Sequence, residues 1–447
     1  MFAYLPHTES EIKEMLVDIG AASIDDLFAD IPEKIRFKGR LKFETGQSEL
    51  EVYRRLHALA VKNKQAVSFL GAGSYDHVIP ASVNALIGRT EFYTSYTPYQ
   101  PEISQGVLQA IFEFQTMMCE LTSLDVSNAS LYDGHTAASE ACALAVNSTR
   151  KRDTILYSRT LHPNTKQVLK TYFNDLPVHL KEVPEKDGVL DPGAVEAMMD
   201  AQVAGLLVQS PNVYGFLEDY SGIADKLHEN KSLFIISSNP MSLGVLKSQG
   251  EWGADIAIGD TQPFGLSSYF GGPAVGYIAA AEKLLRKLPG RIVGQTLDED
   301  GKRAFVLTLQ AREQHIKRER ATSNICSNQA LAALASTVYL STVGREGLKE
   351  LSALNLQKAH YLAGELKEKA GLKLLADQPF FNEFCLKLPI PAQKVTDKME
   401  SDGIFAGVPL KLLDPDYPED LLLVAVTEKR TKDEMDAYVK SMKGALK

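Results

Sequence analysis

The residues best suited to chemistry lie in one short segment, YTPYQPEISQG, which runs from Tyr96 to Gly106. It combines two tyrosines, two prolines and two glutamines with a glutamate and hydroxyl side chains. Proline fixes φ and removes a backbone donor, so we expect a stiff, irregular loop. Such a loop can stack on a small planar, charged ligand or hydrogen-bond to it. The alternative is a surface loop whose tyrosines are half-buried against the fold.

A second segment could bind an anion. A strand-like run, ASLY, leads into Asp133, Gly134, His135 and Thr136, after which an alanine-rich helix begins. Backbone N–H groups and a hydroxyl at a helix start favour negative charge, since the helix dipole is positive there. An ordinary capped helix without a ligand has the same sequence pattern, so the signal is not specific.

The elements that must position these segments form an alternating pattern. Between residues 127 and 281, the short apolar runs DTILYS, VHLKEV, AGLLVQS, SLFIIS and ADIAIGD are separated by helical stretches. Apolar strands that alternate with helices indicate a mostly parallel sheet with helices on both faces. In such sheets the ligand lies at the carboxyl ends of the strands. No G-x-G-x-x-G sequence opens a helix, so a dinucleotide site is not indicated.

The flanking regions predict three domains. Apolar residues at helical spacing predict an N-terminal helix after Thr8 or Ser10, a second helix over 50–62 and a long amphipathic helix over 103–121. The last hundred residues read as a small α+β module whose final helix starts with a capping box, Thr431 to Glu434. We therefore expect an N-terminal helical segment (1–65), a large α/β domain (66–345) and a small C-terminal α+β domain (346–447).

Charge and composition argue against several classes of function. The 447 residues carry a net charge of −9, and the most basic stretch, REQHIKRER, also contains acids and is expected to form a solvated helix face. Binding of nucleic acid is therefore not expected. No apolar run is long enough to span a bilayer, and no signal-peptide core is present, which predicts a soluble, cytoplasmic protein. The four cysteines and nine histidines are scattered, so no metal site is expected.

Several motifs together resemble the glycine cleavage system P-protein, a glycine decarboxylase that depends on pyridoxal phosphate (PLP). They are GAGSYDH, the tyrosine loop, GADIAIGDTQPFG, FGGPAVGYIA and REQHIKRERATSNICSNQAL, and they extend over nearly the whole chain. Split versions of that enzyme have two homologous subunits of about this length, and the resemblance is to the first, or alpha, subunit. It implies a PLP-dependent transferase-like fold of the aspartate aminotransferase type, with a large doubly wound domain, a small C-terminal domain and active sites at a dimer interface.

Two groups that a PLP enzyme needs are missing. One is a lysine whose amine forms the resting Schiff base, and the other is an acid beside the pyridine nitrogen. The resemblance implies the position of the lysine, because in catalytic subunits it follows a histidine and precedes a glycine-rich segment that ends in Gly-Gly-Pro. Counting back from Pro273, that position falls on Gln262, whose amide cannot condense with an aldehyde. The resemblance implies that the acid ends the strand SLFIIS, where catalytic subunits read VDGAN and this chain has Ile236 and Ser237. We therefore expect PLP to be bound covalently by a partner subunit, and not by this chain.

The resemblance implies a reaction at the level of a complex. A homologous, PLP-bearing beta subunit would be the partner, and glycine would be the substrate. Loss of the glycine carboxylate as CO2 would be followed by transfer of the aminomethyl group to the lipoyl disulfide of the H-protein. This chain would complete the partner's pocket across the interface with its tyrosine loop.

Within that pocket the side-chain chemistry of the loop residues suggests separate roles. Tyr96 and Tyr99 could bound the cofactor face or donate a phenolic hydrogen bond, and with Gln100 they are the candidate catalytic residues. Gln100 and Thr97 could bind the substrate carboxylate or the PLP phosphate, and Glu102 could orient one of them. Each of these side chains has an alternative role in stiffening the loop.

Other candidates are weaker. His135 could stack on a cofactor ring, and Thr136 could contact a phosphate, but capping and packing account for both equally well. Ser104 could only cap the following helix. Arg312 and Arg320 could reach the partner's phosphate or an acidic H-protein, or could be salt-bridged helix residues.

Two further hypotheses remain open. The chain could be a regulatory or scaffolding subunit that touches no substrate. Alternatively, it could be a self-sufficient PLP enzyme in which another lysine, such as Lys247, forms the Schiff base.

Overall fold

The computed structural model describes residue 4 and residues 6–39, 41–43, 46–149, 151–268 and 272–447. Two residues of the FGGP motif, Phe270 and Gly271, therefore lie outside the described part. The chain forms two compact units, residues 1–64 and residues 65–447.

The first unit consists of short helices. Helices Glu9–Asp18 and Glu49–Ala60 each begin with a complete capping box, the first at Thr8 and the second at Ser48. A 3-10 turn, Ile24–Phe28, lies between them. Both helices confirm the sequence prediction, and Thr8 is the cap. None of the described residues up to position 64 is buried, although many of them are apolar.

The core of the second unit is a seven-stranded, mostly parallel sheet, as predicted. One strand, Gly276–Ala280, runs in the opposite direction and pairs antiparallel with Ile256–Asp260 on one side and with the short edge strand Val126–Ser127 on the other. Every apolar run named above forms a strand. In spatial order the strands are Val126–Ser127, Gly276–Ala280 (antiparallel), Ile256–Asp260, Leu233–Ser238, Val203–Gln209, Thr154–Ser158 and His179–Val183.

Helices cover both faces of this sheet. Because side chains alternate along a strand, Ile155 packs into the core formed with helices Gly134–Ser148 and Pro163–Phe173. Its neighbour Leu156 packs into a second core with helices Pro192–Met198 and Ile223–Glu229. The other runs have no polar face because both of their sides are buried, whereas VHLKEV forms the edge strand and exposes His179, Lys181 and Glu182.

The C-terminal part of the second unit is built on a long helix, Ala330–Ala370, which is interrupted at Gly344, where φ is 64°. That glycine lies next to the predicted domain boundary at 345; the boundary itself stays a prediction. The predicted α+β elements are present, with the capping box from Thr431 to Glu434. They are an antiparallel sheet in the order Lys373–Leu374, Glu383–Lys387, Leu421–Ala425, Val408–Pro409, and helices Ala392–Ser401 and Lys432–Ala445.

Two predicted helices differ in detail. The amphipathic helix runs over Gln105–Thr122, because Pro101–Ile103 forms a separate 3-10 turn. The prediction of one helix for REQHIKRER is wrong: the segment folds into short turns, and the positive φ of 55° at Arg318 interrupts helical geometry. These turns are Gln310–Arg312, Gln314–Lys317 and Arg318–Arg320.

The remaining elements are short. No helix among the described residues is long and apolar enough to cross a bilayer. The other helices and 3-10 turns are Ala81–Ile87, Thr90–Tyr93, Pro240–Gly244, Gly250–Trp252, Glu282–Lys287 and Leu410–Leu412. The other strands pair as Val67–Ser68 with Ile404–Phe405, Glu185–Lys186 with Val189–Leu190, and Ile292–Leu297 with Arg303–Thr308.

Candidate functional site

A pocket opens at the carboxyl ends of the parallel strands, where the sheet topology predicts a ligand site. Its volume of about 90 Å³ leaves room for a few water molecules. Of the predicted site residues, only His135 lines it. The described lining residues are Gly73, Tyr75, Gly134, His135, His162, Thr165, Gln209, Pro211, Ser237, Ser238, Asn239, Pro240, Gly259, Asp260 and Pro263. No lysine or arginine is among them.

Two histidine rings form one wall of the pocket, with their centroids 5.1 Å apart. His135 Nδ1 shares a hydrogen bond of 2.8 Å with the Thr165 hydroxyl. His162 Nδ1 accepts from the backbone of Asn164, so its Nε2 donates to the Ala72 carbonyl at 3.1 Å. Burial lowers the pKa of His135, and burial together with the neighbouring ring lowers the pKa of His162 to about 4. The pair is therefore neutral at pH 7.

Gln262 occupies the predicted lysine position and is fully engaged. Its Oε1 accepts from Tyr75 N at 2.9 Å, and its Nε2 donates to the carbonyls of Tyr75 at 3.1 Å and Leu266 at 2.7 Å. The glutamine thus fixes the segment that contains Tyr75 to the end of the sheet. A lysine could donate to a carbonyl but could not accept from Tyr75 N.

Two carboxylates lie at the start of helix Gly134–Ser148. Asp133 is the N-cap and accepts from the backbone N–H and the hydroxyl of Thr136, at 2.8 and 2.9 Å. Asp260 accepts from Gly134 N at 3.0 Å with one oxygen, and from Gln262 N and Val275 N with the other. Burial raises the pKa of Asp260, and these three N–H bonds oppose the rise. The predicted anion site is occupied by the chain's own carboxylates, and the Thr136 hydroxyl is engaged by Asp133.

The predicted position of the pyridine acid is neutral. Ser237, Ser238 and Asn239 face the pocket there. Asn239 Oδ1 accepts from Met241 N at 3.0 Å, while its Nδ2 is buried and has no partner. An amide donor cannot protonate a pyridine nitrogen as a carboxylic acid does. With no lining amine and two acids at the anion site, the residues of this pocket do not fit PLP.

The segment that covers the pocket is fixed a second time by Glu383, from the small antiparallel sheet. Its carboxylate accepts from Ala72 N at 2.7 Å and from the Tyr75 hydroxyl at 3.0 Å. Burial raises the pKa of Glu383 to about 7. Gln262 and Glu383 hold the backbone and the ring of Tyr75, respectively.

The tyrosine loop lies apart from the pocket. None of the described lining residues comes from 96–106. Tyr96 is 80% exposed and Tyr99 is 51% exposed. Gln100 and Glu102 are exposed as well, whereas Thr97 is half-buried and its hydroxyl has no partner. Ser104 holds the N-cap position of the next helix without a side-chain capping bond. We call the exposed apolar group Tyr93, Tyr96, Tyr99 and Ile103 the tyrosine-loop surface.

Arg291, which sequence reasoning missed, lies under this loop. Its guanidinium carbon is 5.7 Å from the centroid of the Tyr99 ring, within cation–π range. The buried guanidinium donates to Asn328 Oδ1 and to the Cys326 carbonyl, both at 3.1 Å. The His315 ring meets Tyr99 edge-on at 6.3 Å. A lone arginine after a Pro-Gly turn gave no periodic or motif signal in the sequence.

The other cationic candidates have structural partners or lie elsewhere. Arg312 donates to the carbonyls of Leu288 and Gly290, so its guanidinium is committed to the backbone. Arg320 is exposed, 3.9 Å from Glu319. Lys247, the alternative Schiff-base lysine, has its ammonium 4.0 Å from the Trp252 ring and does not line the pocket.

The chain is similar over nearly its whole length to proteins of one known family. Residues 2–442 match the family model of the glycine cleavage system P-protein. A probable glycine dehydrogenase (decarboxylating) subunit 1 of Geobacillus kaustophilus is 55% identical over 444 residues, or 98% of each chain. A crystal structure of glycine decarboxylase (P-protein) in inhibitor-bound form superposes with a TM-score of 0.90 at 42% identity, covering 100% of both chains.

A more distant structure shows the fold alone. Alanine–glyoxylate aminotransferase from Nostoc sp. superposes with a TM-score of 0.60 at 14% identity, over 91% of this chain and 98% of that one. The predicted PLP-dependent transferase-like fold of the aminotransferase type is therefore confirmed.

Proposed function

This chain belongs to the glycine cleavage system P-protein family, and from that premise we propose that it is subunit 1 of a glycine decarboxylase of the glycine cleavage system. Its partner would be a homologous subunit that binds PLP covalently. Together they would decarboxylate glycine and pass the aminomethyl group to the lipoyl group of the H-protein. The complex is an oxidoreductase, and we expect the isolated chain to be inactive and the complex to be cytoplasmic.

The single observation that carries this division of labour is the pocket at the sheet edge. Its lysine position holds Gln262, whose amide makes three backbone hydrogen bonds. Its described lining contains no amine that could bind an aldehyde. Covalent attachment of the cofactor therefore falls to the other subunit.

The proposed contribution of this chain is its tyrosine loop. The loop is stiffened by Pro98 and Pro101 and is supported from below by Arg291, yet it leaves Tyr96 and Tyr99 exposed. Large aromatic side chains that a monomer exposes together mark an interaction surface. We propose that this surface meets the partner's cofactor pocket, with Tyr96, Tyr99 and Gln100 nearest to the reacting groups and Thr97 and Glu102 supporting them.

Reconstitution tests the proposal directly. The chain is purified alone and together with a homologous lysine-bearing subunit, and glycine–bicarbonate exchange is measured with lipoylated H-protein. We expect exchange only with both subunits. Borohydride reduction in the presence of PLP, followed by peptide mapping, should label a lysine of the partner and none here. A stoichiometric pyridoxyl-lysine in this chain would support the self-sufficient enzyme instead.

The role of the tyrosines separates a catalytic subunit from a scaffold. We expect both Tyr96→Phe and Tyr99→Phe to leave assembly intact. In at least one of the two variants the rate of exchange should fall about 10-fold, the usual effect of a lost transition-state hydrogen bond. Tyr53→Phe, at an exposed tyrosine outside the loop, is the matched control. Exchange at the wild-type rate in both loop variants would favour the scaffolding hypothesis.

A further inference from the structure

The N-terminus of helix Gly134–Ser148 is the group in this pocket that would attract a phosphate. The helix has 15 residues, so its dipole favours an anion at its start. The first N–H of the helix, that of Gly134, points to Asp260 Oδ2 at 3.0 Å. The space beside Gly134 is narrow, because a Cβ added there would lie 3.2 Å from Asp260 Cβ. The anion position is thus filled from within the chain.

Asp260 is held in this position by its own strand end and by the returning strand. Its second oxygen accepts from Gln262 N at 2.9 Å and from Val275 N at 3.1 Å. Three backbone donors on three segments therefore converge on one carboxylate, as they would on a bound anion. No cation lines the described part of the pocket, so backbone dipoles alone balance this charge.

We propose that the Asp260 carboxylate is a built-in substitute for the cofactor's phosphate group. It neutralises the start of helix Gly134–Ser148 and excludes phosphorylated ligands from the pocket. Gln262 completes the substitution, because its amide replaces the amine that would tether a cofactor. The inference deepens the proposed function, since it gives the physical reason why this subunit would leave PLP to its partner.

The first test measures thermal unfolding of the full chain. Wild type, Asp260→Ala and Asp260→Asn are heated with inorganic phosphate up to about 50 mM, and with chloride at matched ionic strength. We expect the wild-type Tm to show no phosphate-specific change. Removal of the charge should lower Tm by roughly 2–4 °C, and phosphate should restore at least half of the loss. Asn removes the charge that repels phosphate and its amide can donate to an anion, so this arm remains informative where Ala fails to fold.

Asp255 provides the matched control. It is a buried carboxylate immediately before the same strand, at the end away from the pocket, where it is bonded to His228 and Lys283. Asp255→Asn should lower Tm without any rescue by phosphate. An equal phosphate effect on wild type, or no rescue of either Asp260 variant, would overturn the proposal.

The second test restores the amine. The full chain carrying Gln262→Lys, alone or combined with Asp260→Ala, is incubated with PLP and reduced with borohydride. We expect the double variant to be labelled at position 262 at least about 10-fold more than the single variant, because the Gly134 N–H is then free to bind phosphate. Equal labelling would mean that Asp260 does not exclude phosphate. A pyridoxyl label on another lysine of the wild-type chain would overturn the proposed function. The role of Asp260 would still be decided separately, by whether phosphate restores the Tm of the Asp260 variants.

Discussion

At the scale of single residues, the buried carboxyl of Glu383 connects pocket architecture to pH. Burial raises its pKa from 4.5 to about 7, so the folded state favours the protonated form. Its stabilising contribution is complete below pH 4.5 and is lost as the pH rises to about 7. The loss is on the order of 3 kcal/mol.

Replacing this carboxyl by an amide should remove that pH dependence. We expect the free energy of unfolding of Glu383→Gln to fall less than that of wild type between pH 5 and 7, by about 2 kcal/mol. Denaturant titration at several pH values measures the difference. The exposed Glu299→Gln should behave like wild type, and parallel curves for Glu383→Gln and wild type would contradict the assignment.

For single residues, the sequence predicts which chemical reactions a side chain can or cannot take part in, but not which distant residues it contacts. It was predictable that Gln262 cannot tether an aldehyde cofactor, since an amide cannot form a Schiff base. The partners of that amide were not, because Tyr75 lies 187 positions earlier in the chain. Asp260 was missed for the same reason: its bond to Gly134 crosses 126 positions, and no local pattern marks such a contact.

At the scale of elements, the start of helix Gly134–Ser148 is wedged against the antiparallel strand Gly276–Ala280. A Cβ added at Gly276 would lie 2.2 Å from the Asp133 carbonyl oxygen and 2.6 Å from its carbon. Both are backbone atoms, so the helix itself would have to move. The close approach explains why position 276 is a glycine.

We therefore expect Gly276→Ala to destabilise the chain by about 1–3 kcal/mol, the usual cost of overpacking. Thermal unfolding followed by circular dichroism measures the effect. Gly364→Ala is the control, because a Cβ added there meets nothing within 4 Å in the long helix, and it should raise stability by about 0.5–1 kcal/mol. An unchanged Tm for Gly276→Ala would show that the helix start yields readily.

The helices and strands were more predictable from the sequence than the contacts of single residues or the partner of the whole chain. Strands such as Thr154–Ser158 and Ile256–Asp260 have apolar residues at successive positions because both faces of the sheet are covered, and that pattern needs only local sequence. The REQHIKRER prediction failed because charge spacing alone does not specify a helix when the backbone turns to positive φ at Arg318.

At the scale of the whole molecule, the tyrosine-loop surface is the feature that most needs a partner. Ile103 is 81% exposed within a segment that also exposes Tyr96 and Tyr99. Burial of one such side chain in an interface contributes about 1.5–3 kcal/mol. Residue patterns alone do not identify what would cover this surface; the family resemblance implies the PLP-bearing subunit, and that stays a prediction.

A charge in this surface should weaken the complex without unfolding the chain. We expect Ile103→Asp to keep the wild-type Tm and to bind the lysine-bearing subunit at least about 10-fold more weakly, in a titration followed by sedimentation. Leu412→Asp, at a residue that is 69% exposed elsewhere, should assemble normally. Wild-type affinity for Ile103→Asp would place the interface away from the loop.

The carboxylate at the start of helix Gly134–Ser148 has a consequence for biosynthesis. A polypeptide that brings its own anion to this position can mature without waiting for a small molecule. We therefore expect the yield of folded chain to be independent of added vitamin B6.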